Sequence, residues 1–321
     1  MTGKYVVGVD LGGTQIRACL ADRTGVILRE ARQPTLAREG LEPVLKRLND
    51  TLARVLEGVT RQHVIGIGIG SPGPLDPKAG VVIEAANLPG WRNVPLKDLL
   101  EKEFGLPVHV NNDANAAALA EQRYGAGRGV ADLVYLTIST GIGGGFICAG
   151  QLLLGVHGFA GEPGHMTVEP EGPRCNCGNI GCLEVLAAGP AIARHGTEMV
   201  HGGRMSVLAA EMMAGRELTA ESVGKAAGQG DAVALEAVGR AARYLGIGVL
   251  NLIHLFDPAM VVLGGSVTKI GRLLFDPVRE LVRERGITKV QQETPILPAA
   301  LGDQVGLLGG VALVPITDGV I

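Results

Sequence analysis

YVVGVDLGGTQIRACLAD, residues 5–22, sets an apolar run, a turn on Asp10-Leu11-Gly12-Gly13-Thr14 and a second apolar run in succession. The reading is strand, glycine turn, strand, a hairpin from about Tyr5 to Ala21. LVYLTISTGIGGGFICAG at 133–150 repeats the arrangement about 130 residues later. The letters differ, but the order of apolar strand, polar-glycine turn and apolar strand recurs. That recurrence predicts two related α/β lobes.

The segments between fit such lobes. PVLKRLNDTLARVLEGV at 43–59 has apolar residues at 44, 45, 48, 52, 55 and 56, a helical period. HVIGIGIGSPG at 63–73 and LPVHVNN at 106–112 read as strands, and DANAAALAEQRYG at 113–125 as an Ala-rich helix. A long helix is expected over about 231–253, ending at Asp257-Pro258, followed by a strand and glycine turn in MVVLGGSV at 260–267. Strands alternating with helices argue for a mixed or parallel sheet in each lobe. The expected division is a small lobe over 1–118, rejoined by 305–321, and a large lobe over 119–304 carrying the Cys-rich segment within 165–182.

Composition narrows the function classes. Of 321 residues, 46% are hydrophobic and 19% charged, and the net charge is −3 with no long basic run. Nucleic acid and anionic membrane therefore gain no support as partners. Residues 133–161 lack any Asp, Glu, Lys or Arg, but they contain eight glycines, which argues against a membrane span. With no signal-peptide layout at the N-terminus, a cytoplasmic protein is expected. Clustered cysteines in that compartment favour metal or catalysis over a disulfide. Glycine, at 49 residues, is about twice its usual share of roughly 7%, and it gathers where apolar runs end.

Each glycine turn has two readings: an ordinary hairpin, or a concavity of backbone N–H groups that holds phosphate. Three such turns at strand ends, at 10–14, 139–145 and 264–266, favour nucleotide binding. Asp10 could then hold Mg²⁺, and neither a P-loop nor a dinucleotide fingerprint is present. Asp113 also has two readings. It could cap the helix that starts there, or it could be a general base at a strand end, kept ionised by the helix N-terminus. Asn112 could hold a neighbouring hydroxyl.

CNCGNIGCLE at 175–184 brings Cys175, Cys177 and Cys182 together, and His165 lies ten residues upstream in GEPGH. Three buried cysteines are one explanation. The spacing with Gly178 and Gly181 favours a closed Cys3His set, and a closed set holds structural zinc. Zinc there would pin both ends of a segment bearing Glu162 and Glu184. The second nitrogen of a zinc-bound His165 would remain free to donate. Carboxylates, an Asn and an imidazole N–H around one pocket suit a polyol such as a sugar.

Taken together, DLGGT at 10–14, NNDANAA at 111–117, STGIGGG at 139–145, GVHGFAGEPGH at 155–165 and CNCGNIGCLE at 175–184 resemble the ROK family, specifically its glucokinase-like sugar kinases. The resemblance implies an α/β, two-lobed actin-like and hexokinase-like (ribonuclease H-like) fold with ATP, Mg²⁺ and a hexose in the cleft. It implies that Asp113 takes the proton from the sugar 6-hydroxyl. Asn87, Asn112, Glu162, His165 and Glu184 would hold the sugar. Asp10, Gly12, Gly13, Thr14, Thr140 and Gly141 would hold phosphates and Mg²⁺, with Gly264 and Gly265 bordering adenosine. His165, Cys175, Cys177 and Cys182 would bind zinc. Ser139 departs from the pattern, since glucokinase-like members often carry Gly there. The family further suggests a homodimer or homotetramer.

The expected activity is phosphorylation of a hexose, glucose first, with N-acetylmannosamine or fructose as other acceptors. Polyphosphate as donor would favour a basic groove. A sugar-sensing regulator of the same family is the competing class. It needs a helix-turn-helix ahead of the sugar domain, and a first turn at residue 10 leaves no room for one.

Overall fold

The computed structural model describes residues 3–85 and 87–315. Strands β1 (Tyr5–Leu11), β2 (Gln15–Asp22) and β3 (Ile27–Pro34) form the expected hairpin and one further turn. Helix α1 (Leu41–Leu56) follows, burying Val44, Leu48, Thr51, Leu52 and Val55 at helical spacing. Strand β4 (Val64–Ser71) runs parallel to β1. Three short strands, β5 (Leu75–Asp76), β6 (Val81–Glu84) and β7 (Arg92–Val94), make a small antiparallel sheet. Helix α2 (Leu96–Phe104), strand β8 (Val108–Asn112) and helix α3 (Asp113–Tyr124) complete the first half.

The second half opens with β9 (Leu133–Ile138), β10 (Ile142–Cys148) and β11 (Gln151–Leu152). Helices α4 (Leu183–Ala187), α5 (Gly189–His201), α6 (Leu208–Met213), α7 (Ala220–Gly228) and α8 (Ala232–Phe256) follow. The chain ends its described part with β12 (Met260–Gly264), α9 (Arg272–Arg285), α10 (Lys289–Gln292), β13 (Ile296–Pro298) and α11 (Val305–Leu313). Helix α8 starts where Asp231 accepts from Ala234 N at 2.9 Å. It stops at Asp257, whose left-handed backbone turns the chain out before Pro258.

The two large sheets repeat one topology. Their orders are β3-β2-β1-β4-β8 and β11-β10-β9-β12-β13, each an antiparallel meander joined through its first strand to two parallel strands. The repeated hairpins of the sequence are the first two strands of each sheet.

Helix α11 lies on β1 and β4 of the first sheet, whereas β13, the strand before it, pairs with β12 of the second. Residues 316–321 fall outside the described residues. Residue 118, the expected division, lies mid-way along α3, which packs on β4 and α11 and also on β9 and β10. The helix therefore touches both sheets. Glycine allows the contact with α11: a Cβ on Gly68 would collide with Gly310 O. Gly68→Ala is expected to cost about 1–3 kcal/mol through overpacking, read as a lower urea midpoint with unchanged m-value. A midpoint equal to wild type would mean that α11 yields freely.

Among the described residues, no helix is long and apolar enough to cross a membrane.

Candidate active site

Strand β8 hands directly to α3, and the junction assigns the capping role. Asn112 is the N-cap, its Oδ1 accepting from Ala114 N at 2.9 Å. Asp113 is the first helical residue, and its Oδ1 also reaches Ala114 N, at 2.7 Å. The cap is therefore provided beside Asp113, and the chain does not need its carboxylate for that purpose.

Asp113 keeps solvent-accessible surface while protein crowds around its carboxyl. Burial pushes its pKa from 3.8 up to about 6, against the pull of the Ala114 N–H, with the negative charges of Asp10 and Glu162 adding to the rise. The helix N-terminus does not hold this group in the ordinary carboxylate range, as its position alone would suggest; desolvation outweighs it. The group is still mostly ionised at neutral pH.

Asp10 approaches from β1. Arg17 Nη2 and Nε donate to its Oδ2 at 2.6 and 3.2 Å. Arg17 was absent from the expected site, yet the hairpin register sets it directly opposite Asp10. In the turn that follows, Gly12 N donates to Gln15 O at 3.0 Å and Thr35 N to Thr14 O at 2.9 Å. A Cβ on Gly13 would lie 2.9 Å from Asn87 Cβ, so this glycine admits the exposed Asn87 turn against the first hairpin.

On the other side, Glu162 is pushed above the usual carboxylate range by burial, with His165 opposing and Glu184 adding to the shift. Glu184 Oε2 accepts from Ile142 N at 2.9 Å, which ties α4 to the second glycine turn beside Gly141. That turn is shorter than the sequence suggested. Ser139, Thr140 and Gly141 make it, whereas Gly143, Gly144 and Gly145 belong to β10. A Cβ on Gly145 would sit 2.5 Å from Ala118 Cβ, and one on Gly144 would sit 2.6 Å from Pro163 Cγ. The glycine run is thus a packing surface, bringing α3 to one face of β10 and the Glu162–His165 segment to the other.

Beyond this turn opens a cavity of about 840 Å³. Ser139, Thr140 and Ser266 border it, with Ser139 Oγ and Ser266 Oγ in hydrogen-bond contact at 2.9 Å. Leu218, Val267 and Ile270 supply apolar wall, while Glu217 and Glu221 offset Lys225 and Lys269. Gly264 ends β12 against the Tyr135 hydroxyl, and Gly265, at φ 89°, turns the chain under Ile138 O. Both stand behind the cavity wall that begins at Ser266. The walls from α5 and α7 escaped sequence reading, because nothing in residues 217–225 marks a ligand until the fold brings them opposite Ser139.

His165, Cys175, Cys177 and Cys182 converge, with all four ligand atoms within 4.8 Å of one another. Cys175 Sγ is 3.8 Å from His165 Nδ1, and Cys177 Sγ is 3.7 Å from Cys182 Sγ. A tetrahedron with Zn–S bonds of about 2.3 Å has edges of about 3.8 Å, so the donor set fits zinc in size and chemistry. The Nδ1 atom faces the cysteines, leaving Nε2 as the second imidazole nitrogen.

The sequence profile of the ROK family matches residues 6–316. The glucokinase of Halalkalibacterium halodurans is 40% identical over 98% of this chain and 96% of that protein. The xylose repressor of Caldicellulosiruptor bescii is 34% identical over 96% of this chain and 77% of that protein. Among solved structures, a ROK family glucokinase from Streptomyces griseus, in complex with glucose and AMPPNP, superposes with a TM-score of 0.81 at 37% identity, covering 97% of this chain and 99% of that one. The repeated sheets and shared helix are the two-lobed, actin-like sugar-kinase fold. With a profile match over nearly its whole length and relatives of both kinds at this identity, the chain belongs to the ROK family.

Proposed function

We propose that the protein is an ATP-dependent hexose kinase that phosphorylates the 6-hydroxyl of glucose. The first sheet with α11 forms the small lobe, the second sheet with its helices forms the large lobe, and substrates lie between them. The observation that carries the reading is Asp113, an accessible carboxyl at the head of α3 near enough to Asp10 and Glu162 for both of their charges to raise its pKa.

Glucose is held by Glu162, His165 Nε2 and Glu184 from the large lobe and by Asn87 and Asn112 from the small one. Asp113 accepts the proton of the 6-hydroxyl as that oxygen bonds to the γ-phosphorus of ATP. The bond from phosphorus to the β-bridging oxygen breaks and ADP leaves. Because such transition states are loose, the base mainly orients the hydroxyl. Asp10 Oδ1, which Arg17 does not engage, is the oxygen left for Mg²⁺, with Gly12, Gly13, Thr14, Thr140 and Gly141 around the phosphates. Bound Mg²⁺ would offset charge on the phosphate oxygens. The cavity beside Ser139 and Ser266 takes the nucleoside, with Gly264 and Gly265 supporting its wall. Its balanced charges and apolar wall suit a base and ribose better than polyphosphate. Zinc at His165, Cys175, Cys177 and Cys182 is structural.

The xylose-repressor relative favours a second reading, a sugar sensor. Asp10 and Asp113 favour turnover over sensing. The deciding experiment is a coupled ADP-release assay with Mg-ATP over a panel of hexoses. A clear kcat/KM preference for glucose is expected. Turnover with no hexose, in folded and zinc-loaded protein that still binds sugar, would point instead to another phosphoryl donor or to the sensor.

A further inference from the structure

Glu121 lies in the last turn of α3 and has no accessible surface. Among the described residues no cationic side chain pairs with it. Its carboxylate is satisfied by three backbone donors: Ala126 N at 2.8 Å and Ala300 N at 3.1 Å on Oε2, and Leu301 N at 3.0 Å on Oε1. These donors belong to two connecting segments far apart in the chain. Ala126 follows α3, where the chain passes from the first sheet to the second. Ala300 and Leu301 follow β13, where it passes back toward α11. One buried charge joins both crossings between the lobes. Charge-assisted bonds of this kind are about twice as strong as neutral ones.

The return crossing leads on to the phosphate side. Asp303 O accepts from Arg17 Nη1 at 2.8 Å, and the same guanidinium holds Asp10. Gly306 lies against the Asp10 carboxylate so closely that a Cβ would collide with it. In the other direction, α3 runs from Glu121 back to Asp113 over eight residues, about 12 Å of helix. A tilt of about 5° at Glu121 therefore moves Asp113 by about 1 Å, a displacement that can cost about 100-fold in rate.

We propose that Glu121 is a positioning residue that fixes the spacing between Asp10 and Asp113 by pinning the two interlobe crossings to one point. The proposal rests on the kinase reading for its catalytic consequence. Its structural content is that residues 10–17, 113–116 and 300–306 are held in common by this carboxylate.

Glu121→Gln keeps the volume but presents an NH2 group to at least one of the three N–H donors, which loses its acceptor. Glu121→Asp keeps the charge and withdraws it by one methylene. Wild-type turnover is measured first, then kcat, KM for glucose and the Mg²⁺ requirement of both variants per folded molecule. Hydrogen exchange is followed by mass spectrometry without substrates. The expected result is a 10- to 100-fold loss of kcat in Glu121→Gln, a smaller loss in Glu121→Asp, a raised Mg²⁺ requirement and a glucose KM within threefold of wild type. Exchange should quicken at 10–17 and 113–116 as well as at 300–306. A kcat within twofold of wild type, or exchange confined to 125–127 and 300–302, would reduce Glu121 to a local cap and overturn the proposal; failure of both variants to fold would make it a folding residue and overturn the positioning role as well. Wild-type protein without turnover would fail the kinase reading alone, and the exchange pattern would then decide the role of Glu121 by itself.

Discussion

Asp113→Asn is expected to lower kcat by about 100- to 10,000-fold, the usual contribution of a positioned general base, while the Kd for glucose stays within a few-fold. Asn keeps the shape and can still accept from Ala114 N, so capping, provided in any case by Asn112, is preserved. The same substitution should stabilise the protein, and the sign follows from the raised pKa. Between its ordinary value of 3.8 and about 6, the folded protein binds the Asp113 proton more tightly than the unfolded chain does. Wild-type stability from this group therefore falls as pH rises through that window and remains lowered above it. The Asn variant escapes that loss. Its Tm advantage should be full above about pH 6 and absent below about pH 4. In the wild type, kcat/KM should fall about tenfold per pH unit below about pH 6, as protonation removes the base. Isothermal titration, steady-state kinetics and thermal melts at several pH values check all three. Near-normal kcat in the variant would leave Asp113 with no role beyond its place at the head of α3.

The site was only half legible in the sequence. The motif residues are legible because their chemistry is local: an acid at a strand end, cysteines at ligand spacing, a glycine turn between apolar runs. Arg17 was legible in principle, since the hairpin register that the sequence implies sets it opposite Asp10. What stayed hidden depends on distant partners. Gly143–Gly145 read as a phosphate turn because glycine announces only close approach. Whether the approaching group is a ligand, α3 or Pro163 is decided by elements elsewhere in the chain. Helix α3 hid its importance in the same way. Ala114, Ala116, Ala117, Ala118 and Ala120 are all buried because both sheets and α11 pack around it, which erases the one-sided pattern of a surface helix. Its Glu121 reads as an ordinary solvent-facing acid until Ala300 and Leu301 arrive from the far end of the chain. The sheet of β5, β6 and β7 was missed for a simpler reason: strands of two to four residues are too short to show an alternating pattern.

Cys177→Ser should lower zinc content, thermal stability and sugar affinity together. Cys177 is the exposed member of the cluster, so its replacement leaves no cavity in the core. Structural zinc sites in small peptides bind with about 10–16 kcal/mol of free energy that is coupled to folding. If about a fifth of that stabilises this segment within the whole chain, roughly 2–3 kcal/mol, the Tm falls by about 4–12 °C. The effect on glucose follows from the path of the chain. His165 is both a cluster member and a sugar ligand in this reading, Glu162 precedes it by three residues, and Glu184 follows Cys182 by two. Releasing the cluster frees the backbone that aims these groups, so the glucose KM should rise by more than tenfold. At saturating sugar kcat should change less, because Asp113 and Asp10 sit on other elements. Cys148→Ser is the control: Cys148 is partly buried on β10, outside the cluster, and should keep full zinc content and sugar affinity. Elemental analysis, melts and kinetics on both variants separate the cases. Unchanged zinc content in Cys177→Ser would remove the cluster as the site. Lost zinc with an unchanged glucose KM would keep the metal but break its link to the sugar, because Glu162 and Glu184 would then be held by packing on β10 and the Ile142 amide alone.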